Sequence, residues 1–192
     1  MLYGFNRLMK RLFDICAASF GLILLSPIFL VLVVLVRRSS PGGALFRQER
    51  VGRYEMPFVC IKFRTMAAGT PNVGSHDAAV SWITPLGRRL RTYKLDELPQ
   101  LINVLKGEMS LVGPRPCLPT QGEVIAARRK HGVFSVRPGI TGLAQLQGID
   151  MSTPQALAEA DAQYIRKAGL WQDIVLVVGT VLGRGTGDAA AK

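Results

Sequence analysis

From Phe13 to Val36 the chain is almost wholly apolar; only Asp14, Ser19 and the pair Ser26-Pro27 interrupt it. Few folds accept such a run. Its 24 residues would cross a bilayer as one helix, since about 20 apolar residues match the hydrocarbon thickness. Pro27 sits near the middle, where it removes a backbone hydrogen bond and kinks a helix, and Ser26 can re-satisfy part of the freed backbone. Positive charge flanks both ends, with Arg7, Lys10 and Arg11 before the run and Arg37 and Arg38 after it. The positive-inside tendency then cannot assign the two ends to opposite sides. A helix that enters, breaks at Ser26-Pro27 and returns to the same face satisfies both facts; a kinked single span is the alternative. A cleaved signal peptide fits less well, because the run is long and lacks a small-residue cleavage site.

Residues 1–12 lead into this run. Phe5, Leu8, Met9 and Leu12 fall on one helical face and Arg7, Lys10 and Arg11 on another. That pattern suits a helix lying among anionic headgroups, and equally an ordinary surface helix. A net charge of +11 points to anionic partners. Mean hydropathy is nonetheless positive, at +0.24. Nucleic-acid-binding domains are basic but rarely this apolar, and no nucleic-acid motif or aromatic stacking platform is present. Contact with anionic membrane lipids is the better reading. Cys16, Cys60 and Cys117 are far apart and have no metal-ligand spacing, which predicts free thiols in a reducing compartment. His76 and His131 are isolated, so a zinc site is not expected.

Beyond the turn-rich linker 39–44, Ala44-Leu45-Phe46 and Pro57-Phe58-Val59-Cys60-Ile61 read as short strands. Arg47–Arg53 between them reads as a charged loop. In Lys62-Phe63-Arg64-Thr65-Met66 the two cations would share a side if extended. Residues 67–80 read as a mobile surface loop. Residues 121–130 look helical, with Arg128-Arg129-Lys130 as a solvated or membrane-facing end. Residues 155–168 read as a polar helix carrying Asp161 and Tyr164. Trp171–Leu182 is too short to span and reads as a helix packed on the domain or lying in the interface. The tail from Gly183 reads as disordered.

The chemistry concentrates at Lys94-Leu95-Asp96-Glu97-Leu98-Pro99-Gln100. Leu98, Leu101, Ile102 and Leu105 form one apolar stripe of a short helix that Gly107 can stop. Pro99 is tolerated only in the first turn, so the helix is expected to begin near Asp96. Arg88, Arg89, Arg91 and Lys94 crowd in just before. Such a cluster is either a set of salt bridges or a site for phosphate, a metal ion and a carboxylate nucleophile. Arg115 is flanked by Pro114 and Pro116, and Arg137 is followed by Pro138 and Gly139. Prolines stiffen the backbone that presents each guanidinium, which suits bidentate phosphate binding.

Together these segments resemble a known family: the Ser26-Pro27 break, Lys62–Met66, Leu95–Leu101, Asn103–Gly107, Val112–Pro116 and Arg137–Gly142. The chain is similar to the bacterial sugar transferases, the monotopic polyprenyl-phosphate phosphoglycosyl transferases, from about residue 5 to residue 182. The resemblance implies an enzyme on the cytoplasmic face of the bacterial inner membrane, held by a re-entrant helix hairpin. It would move a phospho-sugar from a UDP-sugar to undecaprenyl phosphate and release UMP. Asp96 is the implied nucleophile and Glu97 the implied Mg2+ ligand. Arg91 and Arg115 match basic residues at the diphosphate site. Lys62, Arg64, Arg137 and Asp161 are further substrate-binding candidates. Enzymes acting downstream in glycan assembly are implied partners.

Two departures stand out. The family usually carries Ser or Thr where this chain has Lys94, and often Asn-Gly-Arg where it has Gln147-Gly148-Ile149. Neither touches the Asp-Glu pair; the second bears on contacts to the uridine or sugar. The competing reading is a non-catalytic, membrane-tethered basic module that binds nucleotide or lipid in glycan assembly. The expected fold is α/β and mostly helical: a membrane hairpin over 1–38, then a compact domain over 39–182 with interfacial helices and a small irregular sheet.

Overall fold

The computed structural model describes residues 2–67, 69, 70 and 80–183. Most of the loop expected over 67–80, the tail expected beyond Gly183, and His76 lie outside these residues.

Helix α1 (Leu2–Leu24) is continuous, so the basic segment and the first half of the apolar run form one rod. Helix α2 (Ser26–Ser39) starts at the Ser-Pro pair, with Pro27 in the first turn, where a missing N–H costs nothing. The Ser26 hydroxyl donates to the Ile23 carbonyl at 2.8 Å, taking up an acceptor that the break leaves free. Leu8–Leu24 and Ser26–Ser39 meet at a 64° bend. Among the described residues no single helix is long and apolar enough to cross a membrane, whereas this bent pair is, by length and composition. Phe20, Ile23, Leu24, Leu30 and Val31 are exposed along it.

Strands β1 (Leu45–Val51) and β2 (Pro57–Phe63) form an antiparallel hairpin, in register from Leu45 opposite Phe63 to Val51 opposite Pro57. The charged stretch expected to be a loop is thus mostly strand. Side chains alternate across it, Arg47 and Glu49 outward, Gln48 and Arg50 buried. Burial of a guanidinium is tolerable because Arg50 donates to the Pro116 carbonyl (3.0 Å) and to the Gln48 side chain. At the turn Tyr54 and Glu55 both have positive φ, 57° and 62°. An L-residue there costs roughly 1 kcal/mol, and the exposed Glu55–Arg129 pair is screened by water. Glu55→Gly should therefore raise the melting temperature by about 2 °C. A fall in thermal unfolding would mean that the Arg129 pair outweighs the strain.

The rest is mostly helical: α3 (Pro85–Thr92), a 3-10 turn Leu95–Glu97, α4 (Gln100–Lys106), β3 (Ser110–Val112), α5 (Gly122–Lys130), β4 (Gly139–Thr141), α6 (Leu143–Leu146), α7 (Pro154–Lys167) and α8 (Leu170–Val181). β3 and β4 pair in parallel, Ser110 opposite Gly139 and Val112 opposite Thr141. The helix expected to begin near Asp96 begins instead at Gln100. The tight turn Leu95–Glu97 precedes it, and Gly107 ends it at φ 86°.

Two apolar clusters lock this region onto α1, α2 and β2. Phe63, Leu32, Val36, Ala44 and Leu90 pack together, with Phe29, Leu95 and Leu98 against them. The Phe29 and Phe63 rings sit 4.8 Å apart. Burying one such side chain is worth about 2 kcal/mol. On the other side Ala18 of α1 packs with Cys60, Val104, Met109 and Leu101. Asn103, fully buried, stitches α4 to β2: its side chain accepts from Ile61 N (3.1 Å) and donates to the Val59 carbonyl (2.7 Å).

Helix α7 is less polar in place than in sequence, for Leu157, Ala158, Ala160, Asp161, Ala162 and Tyr164 are all buried. Helix α8 buries Asp173, Leu176 and Gly179 and leaves Trp171 and Val181 exposed. Asp173 accepts from Lys10 Nζ (2.6 Å) and Tyr164 Oη (2.8 Å), tying α8 to α1 and α7.

Candidate functional site

Asp96 and Glu97 lie side by side in the 3-10 turn, and both are buried. Lys94, just before them, is held at φ 56°, a left-handed conformation that reverses the chain after α3. On the inner side Leu95 and Leu98 bury against the α2 cluster. The two carboxylates are therefore set beside α2.

Glu97 Oε1 accepts two cationic donors at once, Arg115 Nη2 at 2.8 Å and Lys62 Nζ at 3.2 Å. These residues come from three segments: the end of β2, the 3-10 turn and the Pro-Arg-Pro stretch after β3. Arg91 of α3 is buried, and its Nε donates to the Thr65 hydroxyl at 2.9 Å. Among the described residues its buried Nη1 has no hydrogen-bond partner. α3 can approach this closely because Gly87 has no Cβ; one would lie 2.0 Å from the Thr65 carbonyl oxygen. Thr84 caps α3 by accepting from Gly87 N at 2.9 Å.

The other sequence candidates are engaged elsewhere. Arg64 donates to the Pro41, Ser40 and Val36 carbonyls (2.6, 2.7 and 3.3 Å), so it satisfies the C-terminal end of α2. Arg137 Nε donates to the Gly107 carbonyl at 2.7 Å, just past the end of α4. Burial pulls its pKa down, and the neighbouring Arg11 and Arg53 add to that. Asp161 is buried and paired with Arg128. Burial pushes its carboxyl up while the guanidinium draws it down.

The sequence places Arg128 in a solvated or membrane-facing end of α5, yet it is 2 % exposed. The signal for this was available: Val124 and Arg128 stand four residues apart on one helical face. Arg50, Gln48, Thr65 and Asn103 were also missed; distant groups supply partners to Arg50, Thr65 and Asn103, and Arg50 in turn donates to Gln48.

Among the described residues no three His, Cys, Asp or Glu side chains gather into a metal cage. Mg2+ does not need one. It commonly binds one or two carboxylates plus substrate phosphates and water. The adjacent Asp96 and Glu97 fit that donor set. Cys60 and Cys117 are free, and burial raises both thiols. Neither should be labelled by maleimide at neutral pH until the protein unfolds, as peptide mass spectrometry would show; labelling of the folded protein would contradict the burial.

The sequence profile described as bacterial sugar transferase matches residues 5–185. The chain belongs to the bacterial sugar transferase family. It is 40% identical to a UDP-glucose:undecaprenyl-phosphate glucose-1-phosphate transferase of Caulobacter vibrioides, over 95% of this chain and 72% of that protein. It is 36% identical to the exopolysaccharide production protein ExoY of Rhizobium meliloti, over 90% of this chain and 83% of that protein. An Escherichia coli protein with the same name as the Caulobacter one is 39% identical, over 94% of this chain but only 41% of its own length.

The departure noted in the sequence at Gln147-Gly148-Ile149 brings Ile149 into the fold's interior. The side chain packs against the cluster of Val51, Cys117, Val124, Ala144 and Met151, so it serves the core. Gly148 before it has φ 72°, which glycine adopts without strain.

Proposed function

We propose that this bacterial sugar transferase moves a sugar phosphate from a UDP-sugar to undecaprenyl phosphate, leaving an undecaprenyl-diphosphate-linked sugar and releasing UMP. The observation that carries the reading is the buried Asp96-Glu97 pair with Lys62 and Arg115 closed on Glu97. Two cations converging beside a pair of adjacent carboxylates suit a diphosphate. The names of the relatives from Caulobacter vibrioides and Escherichia coli support the substrate classes.

In this reading the Asp96 carboxylate attacks the phosphorus that carries the sugar. The P–O bond to UMP breaks, UMP leaves, and a covalent aspartyl-phosphosugar forms. A phosphate oxygen of undecaprenyl phosphate then attacks the same phosphorus and returns the Asp96 carboxylate. A covalent intermediate divides one hard displacement into two easier ones and lets a soluble and a lipid substrate use one site in turn. Arg115, Lys62 and Arg91 offset the diphosphate charge, and the unpartnered Nη1 of Arg91 suits a phosphate oxygen. Mg2+, held by Glu97 with Asp96 beside it, would polarise a phosphoryl oxygen. The Ser26-Pro27 bend would set α1 and α2 into the cytoplasmic face of the inner membrane, with Phe20, Ile23, Leu30 and Val31 in lipid and Arg37 and Arg38 among anionic headgroups.

The test is UMP release by the purified protein in nanodiscs with Mg2+, undecaprenyl phosphate and a panel of UDP-sugars. Release with one donor establishes the reaction and names the sugar. Silence across the panel from folded protein would favour the non-catalytic tether.

A further inference from the structure

The stretch Pro114-Arg115-Pro116-Cys117 has an unusual feature: each of its four carbonyls accepts a hydrogen bond from a different distant residue. Gly139 N reaches the Pro114 carbonyl at 2.9 Å and Val51 N the Cys117 carbonyl at 2.9 Å. Arg50 Nη1 reaches Pro116 at 3.0 Å, and Arg128 Nη1 reaches Arg115 at 2.7 Å. Two of the four donors are buried guanidiniums. Arg128 is in turn held from behind: its Nε donates to Asp161 Oδ2 at 2.9 Å and its Nη2 lies 2.8 Å from the same oxygen. Both residues are 2 % exposed.

We propose that Arg128 and Asp161 are positioning residues, whose buried pair fixes the Arg115 backbone and thereby the guanidinium that grips Glu97. A buried ion pair is a poor stabilising device, because desolvation of both charges offsets their attraction; an apolar pair of similar volume does as well or better. An apolar pair could not donate to the Arg115 carbonyl. Pro114 and Pro116 have no N–H of their own, so the turn takes its hold from outside. Asp161 orients the fork of Arg128, a planar group that can face a carboxylate and a carbonyl together. Asp161 is thus assigned a role through Arg115 rather than direct contact with substrate. This inference deepens the proposed function and rests on it for its kinetic readout.

The experiment replaces the pair with Arg128→Met/Asp161→Leu and, separately, changes Arg128→Lys. The apolar pair should melt near the parent, yet release UMP about 100-fold more slowly, the scale expected when a site is misplaced by about an ångström. Lysine, a single point charge, should show the same loss, which also covers the case in which the apolar pair does not fold. In an Arg115→Ala background the pair change should cost little more, since its effect runs through Arg115. Parental turnover in the apolar pair, or losses that multiply in the Arg115→Ala background, would overturn the proposal. The Arg115 Nε–H signal, read by NMR on arginine-labelled protein, needs no turnover: it should broaden or shift in both variants. An unchanged signal would overturn the proposal even if the parent proves inactive, an outcome that would separately remove the proposed reaction.

Discussion

Asp96→Asn should lower UMP release by about 10⁴-fold or more while leaving the melting temperature near the parent's. The amide matches the carboxylate in shape, so packing of the 3-10 turn against α2 survives. It lacks the negative charge that makes the oxygen a nucleophile. A second readout isolates the first half of the reaction. With UDP-sugar and no lipid acceptor, a covalent route predicts one UMP per enzyme in a burst, with the sugar phosphate left on the protein. The burst should vanish in Asp96→Asn. A variant that still gives the burst, or turns over at the parental rate, would sink the nucleophile assignment and leave Glu97 as the carboxylate to test.

Gly139→Ala should cost about 3 kcal/mol of stability, near the upper end for forced overpacking. A Cβ on Gly139 would stand 2.1 Å from Gly113 N and 2.6 Å from the Thr141 carbonyl oxygen. Both obstacles are backbone, so no side chain can swing away. A Cβ on Gly113 would meet the Arg137 carbonyl at 2.6 Å, so the two strands approach with no room on either side. Relief requires β3 and β4 to part, which breaks the bond from Gly139 N to the Pro114 carbonyl. Arg115 would move with it, so the folded fraction should also be slower. Gly122→Ala is the control: nothing lies within 4 Å of that Cβ. Thermal unfolding of both variants decides the matter. If Gly139→Ala melts like Gly122→Ala, the close approach of the two strands is wrong.

Local readings from the sequence fared well where one residue type forces one geometry. Ser26-Pro27 does break the helix, and Gly107 does end α4 in the left-handed conformation. They fared worse where polar residues enter the interior. Arg47–Arg50 looks like a loop because charged residues are usually solvated, but alternate residues here find buried partners and complete a strand. The onset of α4 slipped from Asp96 to Gln100. A 3-10 turn satisfies the same early N–H groups, and Lys94 turns the chain just before it.

The candidate site divides along the same line. The Asp-Glu pair, the Pro-flanked arginine and the basic excess were legible because each is a local pattern. Their grouping was not. Glu97 meets Lys62 and Arg115 across separations of 35 and 18 residues, and Arg128 meets Asp161 across 33. Arg64, Arg115 and Arg137 look alike in sequence, each an arginine beside a stiff or extended segment. In the folded chain one caps α2, one grips Glu97 and one holds the carbonyl after α4. Periodicity and backbone preference act within a few residues, so the sequence by itself determined most of the helices, the break between α1 and α2 and the carboxylate pair. Which cation faces which carboxylate depends on how α1, α2 and the two short sheets pack, and only the tertiary structure decided it.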